Sequence, residues 1–186
     1  MSRFKGSKTV AWALVLGLGV SASALAQVSV ATSDRLQMRA GGRYIAATVE
    51  GENILGADLQ LQRYGSELRG RAFDAPVSIA FDEGGVTGTI GTAPVRLYVR
   101  QAEQGVIAQG LFAGRQSDLR VNPTEIEGRI GSCNYDLTLA GSFYSGFRTC
   151  GGSSVPIPTT LQVPEGLVDY PESAKVAVLG LVLGAR

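Results

Sequence analysis

The chain has 186 residues, of which 17 are basic and 16 acidic, and it contains two cysteines and no histidine. A nearly neutral charge without a long run of either sign gives no indication of a nucleic acid or an anionic membrane surface as a partner. The absence of histidine removes the most common general base and, with it, the usual serine and cysteine hydrolase arrangements.

The first 26 residues have the pattern of a cleaved secretory signal peptide. Three basic residues precede an apolar stretch over 10–20, which is too short to cross a bilayer as a permanent helix. A small-x-small cleavage site then ends at Ala26. We therefore expect cleavage between Ala26 and Gln27, and a mature chain that is periplasmic or extracellular.

The mature chain, 27–186, is predicted to form one domain. Its 160 residues carry 14 basic and 16 acidic groups, a net charge of −2, and this length is enough for a sizeable core. Apolar and polar residues alternate through most of it, which is the main signal for half-buried strands. The first part, over 28–30, 36–39 and 43–50, predicts two or three strands, with a turn at 41–42.

A hairpin pattern then repeats five times over 57–150, and a C-terminal extension occupies 151–186. Each copy consists of an alternating strand, a polar turn and a second alternating strand with a central glycine. The copies cover 57–73, 77–90, 95–112, 117–130 and 135–148.

The second and fourth copies predict the same antiparallel register. Closing the loop over 82–85 pairs Phe81 with Val86, so that apolar residues share one face. Closing the loop over 122–125 sets Arg120 against Glu127, and Asp118 against Arg129, on the outer face. Two opposite-charge pairs directly across from each other favour an antiparallel pairing of neighbouring strands.

A glycine faces a large aliphatic residue in every copy. The predicted pairs are Leu59 with Gly70, Ile79 with Gly88, Leu97 with Gly110, Leu119 with Gly128, and Leu137 with Gly146. Glycine weakens a strand, so five in register need a reason. One interpretation is that they let a wide sheet curl. The other is that the missing side chains leave room for a ligand inside a barrel.

The two cysteines are predicted to form a disulfide. A turn at Gly141 and Ser142 pairs Leu139 with Tyr144, and continuing outward brings Cys133 opposite Cys150. By this count they occupy a non-hydrogen-bonded pair, where the Cα atoms lie about 4.5 Å apart. Two cysteines in such register in an exported protein indicate a disulfide.

The C-terminal extension is less regular. The segment 155–163 contains Pro156 and Pro158, which suit only an edge strand or an extended segment. A helix is predicted from Pro171 and Glu172 to residue 183, and two glycines within 180–184 leave a final strand as the alternative. A segment of about 13 residues is too short to cross a bilayer. We expect it to pack against the sheet or to cap a barrel end.

These patterns predict an all-β fold. We expect an antiparallel meander of repeated hairpins, with about 10–13 short strands closing as a barrel or a sandwich and a possible short C-terminal helix. A β-solenoid, whose rungs have a similar period, is the alternative. An integral membrane barrel is disfavoured because the strands are short and their outward face is polar.

The sequence predicts no catalytic residue, no cofactor-binding residue and no metal site, and it does not identify ligand-binding residues. The only candidate acid–base groups are Asp82, Glu83, Glu125 and Glu127 on turns that we expect to be neighbours. Acids on turns and surfaces are common, so solvated side chains are the better explanation of them. Weak hints of binding come from apolar residues in the outward register, namely Tyr98, Leu111 and Phe147.

Glycine-punctuated β-repeats behind an export signal are typical of bacterial envelope proteins. We therefore expect a non-catalytic β-domain of the bacterial cell envelope that binds a small apolar molecule or an envelope protein. A structural or adhesive subunit that assembles through sheet edges is one alternative. A hydrolase that uses carboxylates alone is another.

Overall fold

The computed structural model describes residues 34–152 and 155–185, all of which belong to one structural unit. The predicted signal peptide, its cleavage site between Ala26 and Gln27, and the predicted strand at 28–30 lie outside the described residues.

The described residues form strands and, at the C-terminal end, two short helices. The strands are β1 Arg35–Ala40, β2 Arg43–Glu50, β3 Asn53–Gly56, β4 Leu59–Tyr64, β5 Glu67–Ala72, β6 Ala75–Phe81, β7 Gly85–Ile90, β8 Ala93–Ala102, β9 Gly105–Phe112, β10 Arg115–Val121, β11 Glu125–Ile130, β12 Cys133–Ala140, β13 Phe143–Cys150 and β14 Ile157–Gln162. A single 3₁₀ turn, Glu165–Leu167, and the helix α1, Glu172–Leu183, follow them.

The fourteen described strands form a closed barrel. Each strand pairs with the next one along the chain, and β14 pairs with β1. All of these pairings are antiparallel. The predicted hairpin meander is confirmed, in its barrel form rather than as a sandwich. The β-solenoid alternative is wrong, because a solenoid requires parallel neighbours. Closure also leaves no free edge on any described strand.

Two hairpin registers are as predicted. Phe81 faces Val86, and Arg120 faces Glu127 with Asp118 facing Arg129 two residues away. An Nη atom of Arg120 lies 2.8 Å from a carboxylate oxygen of Glu127.

The register predicted for the first copy is wrong by two residues. Gly70 faces Leu61 rather than Leu59, because the hairpin closes on a two-residue turn at Gly65 and Ser66. Gly65 has a φ of +58°, which is typical of the tight turns that join antiparallel strands. A shift of two residues leaves each side chain on its predicted face, since the strand period is two.

The strand glycines bring neighbouring backbones close together. At Gly88, where φ is +147°, a Cβ atom would lie 2.1 Å from the carbonyl oxygen of Ser78 on the next strand. A Cβ atom on any of the other four predicted glycines would likewise lie 2.0–2.2 Å from a backbone carbonyl oxygen of the next strand. These glycines are Gly70, Gly110, Gly128 and Gly146. The space left by the missing side chains is therefore filled by the adjacent strand and offers no room for a ligand. This packing supports the bending interpretation.

The strand β14 is an interior strand, so the prediction of an edge strand is wrong. It pairs with β13 on one side and with β1 on the other. Its residue Pro158 is tolerated because the ladder between β1 and β14 ends where Ala40 faces Thr159. Pro158 therefore lies just beyond the end of that ladder. The carbonyl oxygen of Pro158 accepts a bond from the Gly41 amide at 3.4 Å. The backbone N and O of one strand residue point to the same side. The nitrogen of Pro158, which has no N–H, therefore faces the turn between β1 and β2, where no strand residue needs a donor.

The helix predicted through residue 183 is confirmed, and it packs against the sheet as expected, but from inside the barrel and not across a barrel end. Helix α1 is buried on every side except at Glu172 and Lys175, and its side chains belong to the same core as those of the barrel wall. A barrel of about eight strands is filled by its own side chains, but larger ones enclose free space. Helix α1 fills that space, which explains why a helix apolar on all sides is stable here.

The barrel has two distinct ends. The lower end carries the turns that follow β2, β4, β6, β8, β10 and β12, and the upper end carries the remaining turns. Because β14 runs towards the lower end, α1 starts there and ends at the upper end. No helix in the described part of the chain has the length and apolar character to cross a membrane.

Candidate ligand-binding site

A largely apolar depression lies at the lower end of the barrel. It has a volume of about 430 Å³ and is called the lower pocket below. Its walls are the first turns of α1, the segment between β14 and α1, and the tips of the β8–β9, β10–β11 and β12–β13 hairpins. The apolar lining residues are Val106, Val121, Pro123, Ile126, Leu139, Val163, Pro164, Leu167, Val168, Val176 and Leu179.

The size and chemistry of the lower pocket are those of a small-molecule site. Such sites typically occupy about 300–1,000 Å³ and combine an apolar lining with a few polar groups. Two large apolar side chains stand exposed in its walls, with Val168 63 % and Leu139 39 % accessible. Exposed apolar side chains that converge on a concave surface indicate a binding site more strongly than isolated ones.

The lower pocket exists because α1 is anchored at the opposite side of the barrel mouth. The Ser173 hydroxyl donates a hydrogen bond to the carbonyl oxygen of Asp82 in the β6–β7 turn. The Tyr170 hydroxyl donates to the carbonyl oxygen of Gly51 in the β2–β3 turn at 2.9 Å. The helix is thus held towards these turns, and a gap remains beside β10–β13.

The anchor at Tyr170 is reinforced by a charged pair. The guanidinium of Arg63 lies 4.6 Å from the centre of the Tyr170 ring, within the range of a cation–π interaction. Arg63 also donates to Glu52 at 2.6 Å. Burial raises the pKa of the Tyr170 hydroxyl, while the positive charge of Arg63 opposes this change. The neutral hydroxyl is therefore the form that the fold favours.

A small number of polar groups line the lower pocket. The ammonium of Lys175 donates to a carboxylate oxygen of Glu172 at 2.8 Å, which leaves further N–H donors of Lys175 for a ligand. The Tyr144 hydroxyl lies 3.2 Å and 3.1 Å from the carbonyl oxygens of Asn122 and Pro123. It therefore connects the two hairpin tips that form the outer wall. Burial raises the pKa of Tyr144.

The upper end is closed by packing and by a covalent bond. The Tyr135 hydroxyl donates to the carbonyl oxygen of Leu183 in the last turn of α1. The predicted disulfide is present, and the Cα atoms of Cys133 and Cys150 are 4.0 Å apart. The adjacent pair is joined by a hydrogen bond from the Gly151 amide to the Ser132 carbonyl. The cysteines therefore occupy a non-hydrogen-bonded pair, as predicted. Such a disulfide is typical of a protein in an oxidising compartment.

The structure does not bring together the carboxylates considered as an acid–base pair. Asp82 and Glu83 lie in the β6–β7 turn, and Glu125 and Glu127 lie in β11 with the hairpin β8–β9 in between. Asp82 accepts a bond from the Gly84 amide at 2.9 Å. No group of three or more potential metal ligands occurs among the described residues.

The outward apolar residues do not form one patch. Leu111 and Tyr98 lie on the neighbouring strands β9 and β8, but Phe147 lies on β13 with three strands in between. The arrangement matches the scattered apolar residues of an ordinary protein surface.

Sequence reasoning missed the lower pocket, although one signal was present. The only charged residues in the predicted C-terminal helix, Glu172 and Lys175, are three apart and therefore lie on one side of it. An otherwise apolar helix with one charged side at its start indicates that this side reaches a surface.

No family model, no characterised protein and no solved structure matches this chain.

Proposed function

We propose that this protein is an exported, non-catalytic binding protein of the cell envelope that holds the apolar part of a small molecule in the lower pocket. The observation that carries the proposal is the pairing of a filled barrel interior with an apolar cavity of about 430 Å³ at one end. A ligand inside the barrel has to compete with α1, whereas a ligand at the lower end does not.

Two features support export. The N-terminal pattern is that of a secretory signal, and the Cys133–Cys150 disulfide is of the kind that persists outside the cytosol. Assembly through sheet edges is not proposed, because the closed barrel offers no free edge in its described strands.

A pair of matched variants tests the site. Leu139 in the pocket wall and Leu111 on the outer face of β9 are 39 % and 37 % exposed. A charge at either position faces water in the free protein, but a charge at 139 also faces a bound apolar group. We expect Leu139→Asp to weaken binding at least tenfold and Leu111→Asp to leave it unchanged.

Binding is measured with the fluorescent apolar dye anilinonaphthalene sulfonate, which responds to accessible apolar surface, and with its displacement by 1-dodecanol. Lipid extract from a cell envelope, incubated with the mature protein and analysed by mass spectrometry after repurification, then identifies the natural class of ligand. Equal dye binding by both variants and the wild type, together with no retained lipid, would contradict the proposal.

A further inference from the structure

Arg148 is a buried cation near the upper end, and it has no part in the proposed ligand site. It lies on the inner side of β13, opposite Tyr135 on β12 and Ile157 on β14. The residue is only 9 % exposed. Its Nε and Nη1 atoms are buried and have no hydrogen-bond partner among the described residues.

A guanidinium in this position needs a negative partner. Removing a charge from water costs several kcal/mol unless an opposite charge and hydrogen bonds compensate for it. The ion pairs between described residues do not include Arg148. Nitrogen donors left unpaired in the interior are rare in folded proteins and call for a specific explanation.

The neighbouring groups compensate for this charge only in part. The positive charge of Arg148 and a hydrogen bond from it lower the pKa of Tyr135, although burial outweighs them and the net effect is an increase. The Tyr135 hydroxyl in turn donates to the carbonyl oxygen of Leu183. The C-terminal end of α1 therefore places a partial negative charge near Arg148. The Leu183 carbonyl oxygen already accepts a hydrogen bond from Tyr135, so it compensates for the charge of Arg148 only weakly.

We propose that Arg148 is the centre of a second binding site, at the opposite end of the barrel from the lower pocket, and that this site takes a small oxyanion. A guanidinium presents planar N–H donors in a fixed fork, which suits carboxylate and phosphate oxygens. The Tyr135 side chain forms the adjacent wall.

The test uses the mature protein with its disulfide intact and inorganic phosphate as the probe, at pH 7 and at an ionic strength held constant with sodium chloride. Thermal unfolding is followed over increasing phosphate concentration. A ligand that binds only the folded state raises the melting temperature, by roughly 5–10 °C at about 100 times the dissociation constant for a chain of this size. We expect a saturating rise for the wild type.

Arg148→Gln removes the charge and should abolish the rise, whereas Arg96→Gln, which removes an exposed arginine on the outer face of β8, should retain it. Equal rises in both variants would overturn the proposal by showing a general salt effect.

Titration calorimetry of the wild type with phosphate keeps the test decisive if Arg148→Gln does not fold. Saturable heat that is at least tenfold weaker in Arg148→Lys supports the site, because lysine keeps the charge but lacks the fork. No saturable heat in the wild type would overturn it. Binding at this site and dye binding in the lower pocket are separate measurements, so either proposal can fail alone.

Discussion

Gly180 of α1 lies directly against the ring of Phe112 in β9, so closely that a Cβ atom at position 180 would be 2.6 Å from Cε2 and 2.7 Å from Cζ. Real Cβ atoms essentially never approach other atoms to such distances. The missing side chain therefore sets how near the helix comes to this part of the barrel wall. Phe112 itself is buried, so the ring has little freedom to move away.

Gly180→Ala is expected to destabilise the protein. Alanine in a helix interior is favoured over glycine by about 1 kcal/mol, but overpacking a core costs about 1–3 kcal/mol. We expect a net loss of about 1 kcal/mol in the free energy of unfolding, measured by urea denaturation. Combining it with Phe112→Leu, which removes the ring, should make Gly180→Ala stabilising. A gain from Gly180→Ala alone would show that the contact is not tight.

Removing the disulfide should reduce stability without changing the fold. Cys133 and Cys150 are 17 residues apart, and closing a loop of about this length restricts the unfolded chain by about 3 kcal/mol. We expect this loss in the double variant Cys133→Ala/Cys150→Ala, by urea denaturation with circular dichroism. Wild-type protein treated with dithiothreitol should reach a similar value. A difference below about 1 kcal/mol between oxidised and reduced protein would contradict this account.

Gly88→Ala should damage the barrel wall far more than a glycine replacement in the adjacent turn. Residue 88 has a φ of +147°, and a Cβ there would lie 2.1 Å from the Ser78 carbonyl oxygen. Backbone strain of this kind costs about 1–3 kcal/mol, and moving the neighbouring strand adds to it. The control is Gly84→Ala, whose Cβ would meet its nearest neighbour at 3.7 Å. Similar melting temperatures for the two variants would contradict the close approach.

Stability should fall at alkaline pH because buried tyrosines lose their protons later in the folded state than in the unfolded chain. Burial raises the pKa values of Tyr135, Tyr144 and Tyr170 above the ordinary tyrosine pKa of 10.0. Their contribution is complete below pH 10 and is lost as the pH rises from there through the raised values.

Urea unfolding between pH 8 and 11 measures this change. Above pH 10, the free energy of unfolding should fall less steeply with pH in the triple variant Tyr135→Phe/Tyr144→Phe/Tyr170→Phe than in the wild type. The wild-type slope should be preserved in Tyr98→Phe, which alters an exposed ring. An unchanged slope in the triple variant would assign the alkaline loss to other groups.

Much of the barrel wall was predictable from the sequence, because local turns determine the register of each hairpin. The cysteine pair and the Arg120–Glu127 pair followed from counting outward from a turn. The predicted pairing of Leu59 with Gly70 was wrong because it did not start from the turn at Gly65 and Ser66. That turn has the same Gly-Ser sequence as the turn at Gly141 and Ser142, and counting outward from it pairs Gly70 with Leu61.

The closure of the barrel and the position of α1 were not predictable in this way. Pairing of β14 with β1 joins residues more than 100 positions apart, such as Gln37 with Gln162, and no local pattern specifies it. The lower pocket depends on this closure and on the bonds that Ser173 and Tyr170 make to distant turns. It is a product of tertiary packing alone.

The position of α1 after all the described strands has a consequence for folding. A barrel of this width completed before its C-terminal segment arrived would surround water with apolar walls, and such an intermediate would be unstable. Ring closure and helix insertion are therefore expected to take place together, as the final event. Refolding should accordingly be slow, because contacts between distant parts of the chain dominate, and the native state cannot form until the segment that contains α1 is available to the barrel.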